Sequence, residues 1–264
     1  MNTTIDDDKD QRLKGLLAIG ADAVGGSVGA VVGFFFGGLA GATIGSATGV
    51  AAAATLKRVG ADISNRFLSP REERRIGSLL ALVAQEVSER VGRGESPRTD
   101  GLFDADSQGH VEMDEVAEAV ILKCQREPEE RKLPYFAHLL AAVAFDSRVT
   151  PEYAQQLVKL GERLTFRQLC LLRIAATKGS FALREADYRK REEGFTRELY
   201  SVLQECVGLH REGLVNCGGE VVFGLTDINP GAMTIQGVGT DIHNLMRLVE
   251  LPRHDLEDVA SVLS

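Results

Sequence analysis

Four cysteines and five histidines are the side chains of this 264-residue chain best suited to nucleophilic or metal chemistry, and their spacing supports neither. Cys124, Cys170, Cys206 and Cys217 stand singly, with no CxxC pair to build a zinc knuckle or a redox centre. Leucines on both sides of Cys170 mark a buried, reduced thiol, and a reducing compartment fits. The histidines form no cluster. His110 stands alone in a polar stretch, and His138 follows Glu130 with no ExxH or HExxH spacing. The glutamates and basic residues of Arg126–Lys132 read as a solvated helix start whose charges suit the dipole. No GxSxG, GxxxxGK[ST] or strand-anchored GxGxxG is present. No catalytic residue, metal or cofactor is assigned, and the chain is expected not to be an enzyme.

The spacing that does carry information belongs to glycine. From Ala23 to Leu56 there are 34 residues without a charge, nine of them glycine. Gly25, Gly29, Gly33, Gly37, Gly41, Gly45 and Gly49 recur at every fourth position, and Ala21 and Ala53 extend the series. Residues four apart share one ridge of a helix. Without side chains the ridge becomes a groove that a second helix can enter backbone to backbone. Each glycine costs an isolated helix about 0.8–1 kcal/mol relative to alanine, so the pattern needs helix partners or lipid. The uncharged run exceeds the roughly 18 residues that mark a candidate membrane span.

As one helix the stretch would reach about 51 Å, against a hydrocarbon core about 30 Å thick. A break at Gly37-Gly38 is therefore expected, giving a helical hairpin of arms Arg12–Phe36 and Leu39–Phe67. Lys9, Arg12 and Lys14 flank the first arm, and Lys57, Arg58 and Arg66 flank the second. The positive-inside rule places both ends on the cytoplasmic side. Asp22, at the inner edge of the first arm, is the residue that would line a polar path. The N-terminal residues 1–14 are polar and acidic, unlike a cleaved signal.

Beyond residue 68 the composition becomes that of a water-exposed helical domain. Ser69-Pro70-Arg71-Glu72 is a helix start with a capping box. Ile76, Leu79, Leu80, Val83 and Val87 form its apolar stripe. Glu95–Gly109 reads as a loop, and three more helices follow to about Arg163. From Thr165 the pattern is helices, then a β-hairpin of Leu214–Cys217 and Glu220–Leu225 turning at Gly218-Gly219, then closing helices. The expected organisation is a tail 1–14, a hairpin 15–68, a helical domain 69–163 and a C-terminal module 164–264. The fold class is mainly α: a membrane-inserting glycine-zipper hairpin, an α-helical soluble domain, and a winged-helix-like module with a small β-hairpin.

On the glycine series, Ala21–Ala53 resembles glycine-zipper membrane proteins, as found in two-span bacterial domains and in pore-forming toxins. The resemblance implies oligomeric helix packing in a bilayer through the seven glycines. The C-terminal part, about Thr165–Leu251, is similar to MarR-like regulators in its Leu164–Leu169 opening and its Gly213-Leu214-Val215 lead into the wing. The expected recognition helix, Thr196–His210, has one arginine against two glutamates, and the wing tip has no basic residue. The chain's net charge is −8. Both facts point to protein contact rather than nucleic acid. The reading that follows is a bacterial inner-membrane effector of the toxin or abortive-infection type. Its hairpins oligomerise and permeabilise the bilayer under control of the cytosolic domain, with both termini cytoplasmic and a soluble resting form. The alternatives are a membrane-anchored scaffold or regulator with a protein- or DNA-binding module, and a soluble interaction protein whose glycine-rich helices pack internally.

Overall fold

The acidic N-terminus is helical. In the computed structural model, which describes residues 3–37, 47–177, 179–191, 194–218 and 221–264, α1 runs from Thr3 to Ala23. Leu13, Leu16, Leu17, Gly20 and Ala21 make its buried stripe at helical spacing. The helix then stops. Gly25 adopts φ +70°, and the Gly26 N–H donates to the Ala21 carbonyl at 2.8 Å. The Gly25 N–H reaches the Asp22 carbonyl at 3.3 Å. This is the paired bonding of a Schellman cap, which needs a left-handed residue and uses glycine for it. Ser27 starts α2 (Val28–Phe36), its Oγ accepting from the Ala30 N–H at 3.3 Å. A third helix, α3, spans Ala47–Ser64.

The expected hairpin of Arg12–Phe36 and Leu39–Phe67 is therefore corrected. Its first arm is two capped helices, and the break proposed at Gly37-Gly38 falls at the margin of the described residues. Among the described residues no helix is long and apolar enough to cross a membrane. The reason lies in the side chains. The first half of α1 carries Asp7, Asp8, Lys9 and Asp10. The nine-residue α2 reaches only about 14 Å at 1.5 Å per residue. The last half of α3 carries Lys57, Arg58 and Asp62. The membrane-inserting hairpin, the pore-forming reading, the lipid bilayer as partner and the inner-membrane topology all depended on such a span, and none is retained.

The chain forms two compact units, Met1–Glu162 and Arg163–Ser264. The first holds α1, α2 and α3 with α4 (Pro70–Gly92), α5 (Glu112–Arg126), α6 (Leu133–Phe145) and α7 (Pro151–Arg163); α1, α2 and α3 pack on α4, and α4 also packs on α5 and α6. The most extensive helix contact is α1 on α4. It is made at Gly20 and Gly77, where a Cβ on Gly20 would overlap the Gly77 carbonyl and one on Gly77 would overlap the Leu16 carbonyl oxygen. Backbone meets backbone there, the packing that small residues permit. Glu72 accepts from the Ser69 N–H at 2.8 Å and from its Oγ at 2.7 Å, setting the start of α4. Ile76, Leu79, Leu80, Val83 and Val87 are all buried. α6 lies at the centre, with Leu133, Phe136, Leu139, Leu140 and Val143 out of water.

The second unit holds α8 (Phe166–Ala176), α9 (Arg197–Arg211), α10 (Val238–Leu245) and α11 (Arg253–Val262). Thr165 and Gln168 close a capping box on α8, with the Gln168 N–H on Thr165 Oγ1 at 3.1 Å. Thr196 caps α9. A two-residue β1 (Val215–Asn216) pairs antiparallel with β2 (Thr234–Ile235), in the register Val215 opposite Ile235. The expected hairpin through Gly218-Gly219 to Glu220–Leu225 is corrected. β1 pairs with a strand farther along the chain, and residues 217–233 intervene. Gly219 and Glu220 lie outside the described residues, and residues 221–224 are not strand. The Asn229 N–H donates to the Cys217 carbonyl at 3.1 Å, and Gly218, at φ +82°, faces Ala232. The close start of α10 is set by Gly239, where a Cβ would overlap the Leu214 carbonyl. Residues 183–191 are irregular. Their backbone is pinned by the Arg184 N–H on the Leu263 carbonyl and the Tyr188 N–H on the Thr226 carbonyl, each at 2.9 Å.

Candidate functional site

Of the glycine series, Gly25 is the cap of α1 and Gly29 lies exposed in α2, with only Ser27 Oγ within 4 Å of an added Cβ. Gly33 lies within α2 and Gly37 is its C-cap. Gly49 falls in α3, while Gly41 and Gly45 lie outside the described residues. The close helix approach sits one register away, at Gly20, whose partner Gly77 is remote in sequence. Asp22 is exposed on the last turn of α1. With no span for it to border, its place in a polar path is withdrawn.

The six basic residues that would have flanked a membrane are engaged inside the first unit. Lys9 pairs with Asp62 at 3.3 Å, Arg12 with Asp8 at 3.2 Å and Lys57 with Asp10 at 2.9 Å. Arg58 grips both carboxylate oxygens of Asp114, at 2.9 and 2.8 Å. Arg66 reaches Glu118 at 2.6 Å. Lys14 and Lys57 lie over the Phe36 ring, 4.7 and 4.4 Å from its centroid. These contacts tie α1 to α3, and α3 to α5. Each pair between exposed partners stabilises by about 0.2–1 kcal/mol, so their effect is alignment rather than strength.

Three polar clusters lie deeper. Lys132, 1% exposed, bonds Glu127, 4% exposed, at 2.7 Å and also donates to the Glu162 carbonyl at 3.3 Å. Glu86 accepts from Arg90 Nε at 2.8 Å and stands 3.1 Å from His138 Nδ1. An imidazole oriented by a carboxylate is what a general base requires. Arg98 donates to the Asp146 and Val149 carbonyls at 3.0 and 2.7 Å and to both oxygens of Asp100. It thus satisfies carbonyls at and beyond the end of α6, as a cation at a helix C-terminus does. The Arg98 guanidinium in turn holds the Asp100 carboxyl below the usual range. All four cysteines are buried, and burial pushes the thiols of Cys124, Cys206 and Cys217 up, away from the reactive thiolate.

The loop before α5 has a spacing that motif reasoning passed over. Asp104, Asp106, Gly109 and Glu115 stand at the first, third, sixth and twelfth positions of the calcium-loop pattern, with Gln108 at the fifth. Gly109 has φ +85°, and Glu112 opens α5. The Asp106 carboxylate is turned onto its own loop, accepting from the Gln108 and His110 N–H groups at 2.8 Å each. Those bonds, His110 first, hold its carboxyl below the usual range. Among the described residues no group of three or more His, Cys, Asp or Glu is placed to hold a metal ion. The geometry is that of a helix-entry turn.

Some large apolar side chains also remain open to solvent. On the first unit, a groove of about 570 Å³ runs past Gly15, Leu16, Ile19 and Leu68, with Phe67 fully exposed at its lip. On the second unit, Phe223 is 81% exposed and Val221 54%. Phe223 is presented on a fixed loop. Asp227 Oδ2 accepts from the Phe223 and Gly224 N–H groups at 2.8 and 3.1 Å, and its Oδ1 accepts from Arg189 Nε at 2.8 Å. The Arg189 contact, with those two N–H bonds, keeps the Asp227 carboxyl below its ordinary range and charged. Composition offered no warning of this loop, because the segment reads as an ordinary wing strand. The signal that could have found it was Val-Val-Phe followed by Gly, three residues before an aspartate. No family model, curated protein or solved structure matches the chain. With no spanning helix among the described residues and with β1 paired to Thr234–Ile235 instead of the expected wing strand, the resemblances to glycine-zipper membrane proteins and to MarR-like winged-helix regulators are withdrawn.

Proposed function

We propose that this protein is a helical interaction module that works as a scaffold or regulator by binding another protein, and that it acts by binding rather than by catalysis. The observation that carries the reading is Phe223. A phenylalanine left in water forgoes about 1.5–3 kcal/mol of burial. Here it is held outward by a charged, buried aspartate and by a segment whose backbone is bonded to Thr226. An exposed aromatic on an anchored backbone, flanked by an aliphatic residue, is the form of a binding hot spot, because the backbone is already ordered before docking. The glycine-rich N-terminal helices support the same reading, since they pack against α4 of their own unit. The buried clusters at Glu127–Lys132 and around Arg98 join helix ends, a structural use of charge.

The test is a photoreactive phenylalanine analogue at position 223, with the same group at exposed Asp258 as the control, in the cells that make the protein. Discrete adducts from position 223, absent from position 258 and lost when Asp227→Asn frees the loop, are the expected result. Equal labelling from both positions, or none from 223, refutes the reading.

A further inference from the structure

We infer that the groove beside α1 on the first unit is a self-association site that a second copy of this chain fills with its own Phe67. Knob and hole lie on one patch. Phe67, fully exposed in the connection between α3 and α4, stands at the lip of a groove floored by Gly15, Leu16, Ile19 and Leu68. A patch that carries both parts is self-complementary under a two-fold axis, the isologous arrangement of most homodimers. Gly15 leaves the floor open, with nothing within 4 Å of where its Cβ would be, and Ile19 is 42% exposed beside it. The charges agree. The groove wall carries Glu73, which has no ion-pair partner among the described residues, and the half-exposed guanidiniums of Arg12 and Arg66. Arg12 and Arg66 pair with Asp8 and Glu118 within the chain, and in the proposed dimer Glu73 of one copy would join those pairs from across the two-fold.

The size of the patch sets the strength. One phenylalanine buries about 150–250 Å², so two give roughly 300–500 Å². The remaining apolar residues add less than that, and stable interfaces bury about 1,200 Å² or more. The dimer is therefore weak, with a dissociation constant in the micromolar range or above, and populated where the protein is concentrated.

Sedimentation velocity of the full chain from about 1 to about 300 µM tests this. Two variants divide the patch: Phe67→Asp removes the knob, and Gly15→Gln fills the hole from a position with free space around it. Circular dichroism checks that both keep the wild-type helix content. The expected result is a concentration-dependent dimer for the wild type, weakened about tenfold or more by either variant. An equimolar mixture of the two variants then associates more tightly than either alone, because one intact knob meets one intact hole. A wild type that stays monomeric throughout overturns the inference. So does a dimer that survives either variant, or a mixture that associates no better than its components.

Discussion

Replacing Gly20 by alanine adds one methyl group at a point where two helix backbones touch. The Cβ would overlap the carbonyl of Gly77, and backbone cannot swing aside as a long side chain does. Overpacking a tight core costs about 1–3 kcal/mol, and a backbone clash belongs at the upper end. Alanine returns about 0.8–1 kcal/mol through its better helix propensity. The net is a loss of about 2 kcal/mol. Gly15→Ala in the same helix meets nothing and should gain about 0.5–1 kcal/mol. With a urea dependence of about 2 kcal/mol per molar, the midpoint falls by about 1 M for Gly20→Ala. It rises by about 0.3–0.5 M for Gly15→Ala. Hydrogen exchange by mass spectrometry reads the same free energies from α1 and α4 peptides alone, as roughly 30-fold faster exchange for Gly20→Ala. If the two variants shift stability in the same direction, or Gly20→Ala is neutral, the helices do not meet at Gly20 and Gly77 and the internal packing is wrong.

Three further outcomes follow from the buried and capping groups. Lys132→Met leaves Glu127 charged and unpaired in the core, and should cost about 3–5 kcal/mol in denaturant titration. The double change with Glu127→Leu should recover a large part of that. Arg98→Ala strips the carbonyls of Asp146 and Val149 of their donor and should cost about 2–3 kcal/mol, with exchange rising first in the last turn of α6. Glu72 is held at a pKa of about 2 instead of 4.5, chiefly by the Ser69 N–H and then by the Ser69 hydroxyl and Gln125. Its folded value lies below its unfolded one, so its stabilisation is present above pH 4.5 and fades as the pH falls toward 2. Melting temperatures of wild type and Glu72→Gln should therefore differ near neutral pH and converge in acid. A constant difference would place the effect elsewhere.

Local rules were enough for the helix starts. The capping boxes at Ser69–Glu72 and Thr165–Gln168, and the apolar stripe from Ile76 to Val87, are decided within one or two turns of chain, so residue types and spacing specify them. The glycine series is different in kind. A glycine at every fourth position fits a zipper, but a single glycine fits a helix cap equally well, and Gly25 is a cap. Which glycine meets another backbone depends on a partner 57 residues away, and no local pattern marks Gly77. The basic residues near the glycine run were ambiguous for the same reason. Lysines and arginines beside an apolar stretch suit a lipid surface, and they suit carboxylates on a neighbouring helix. Asp10, Asp62, Asp114 and Glu118 take them once the helices are side by side. The wing turned likewise on distant contacts, since Gly-Gly permits a tight hairpin but Cys217 and Gly218 meet Asn229 and Ala232. Composition, caps and periodicity by themselves determined that the chain is mainly helical and where most helices begin. Tertiary structure alone decided which faces are buried against what, and left Phe67 and Phe223 the most exposed of the large apolar side chains described. The cause is range: hydrogen bonds and side-chain spacing act within a few residues, whereas burial depends on which remote surfaces meet.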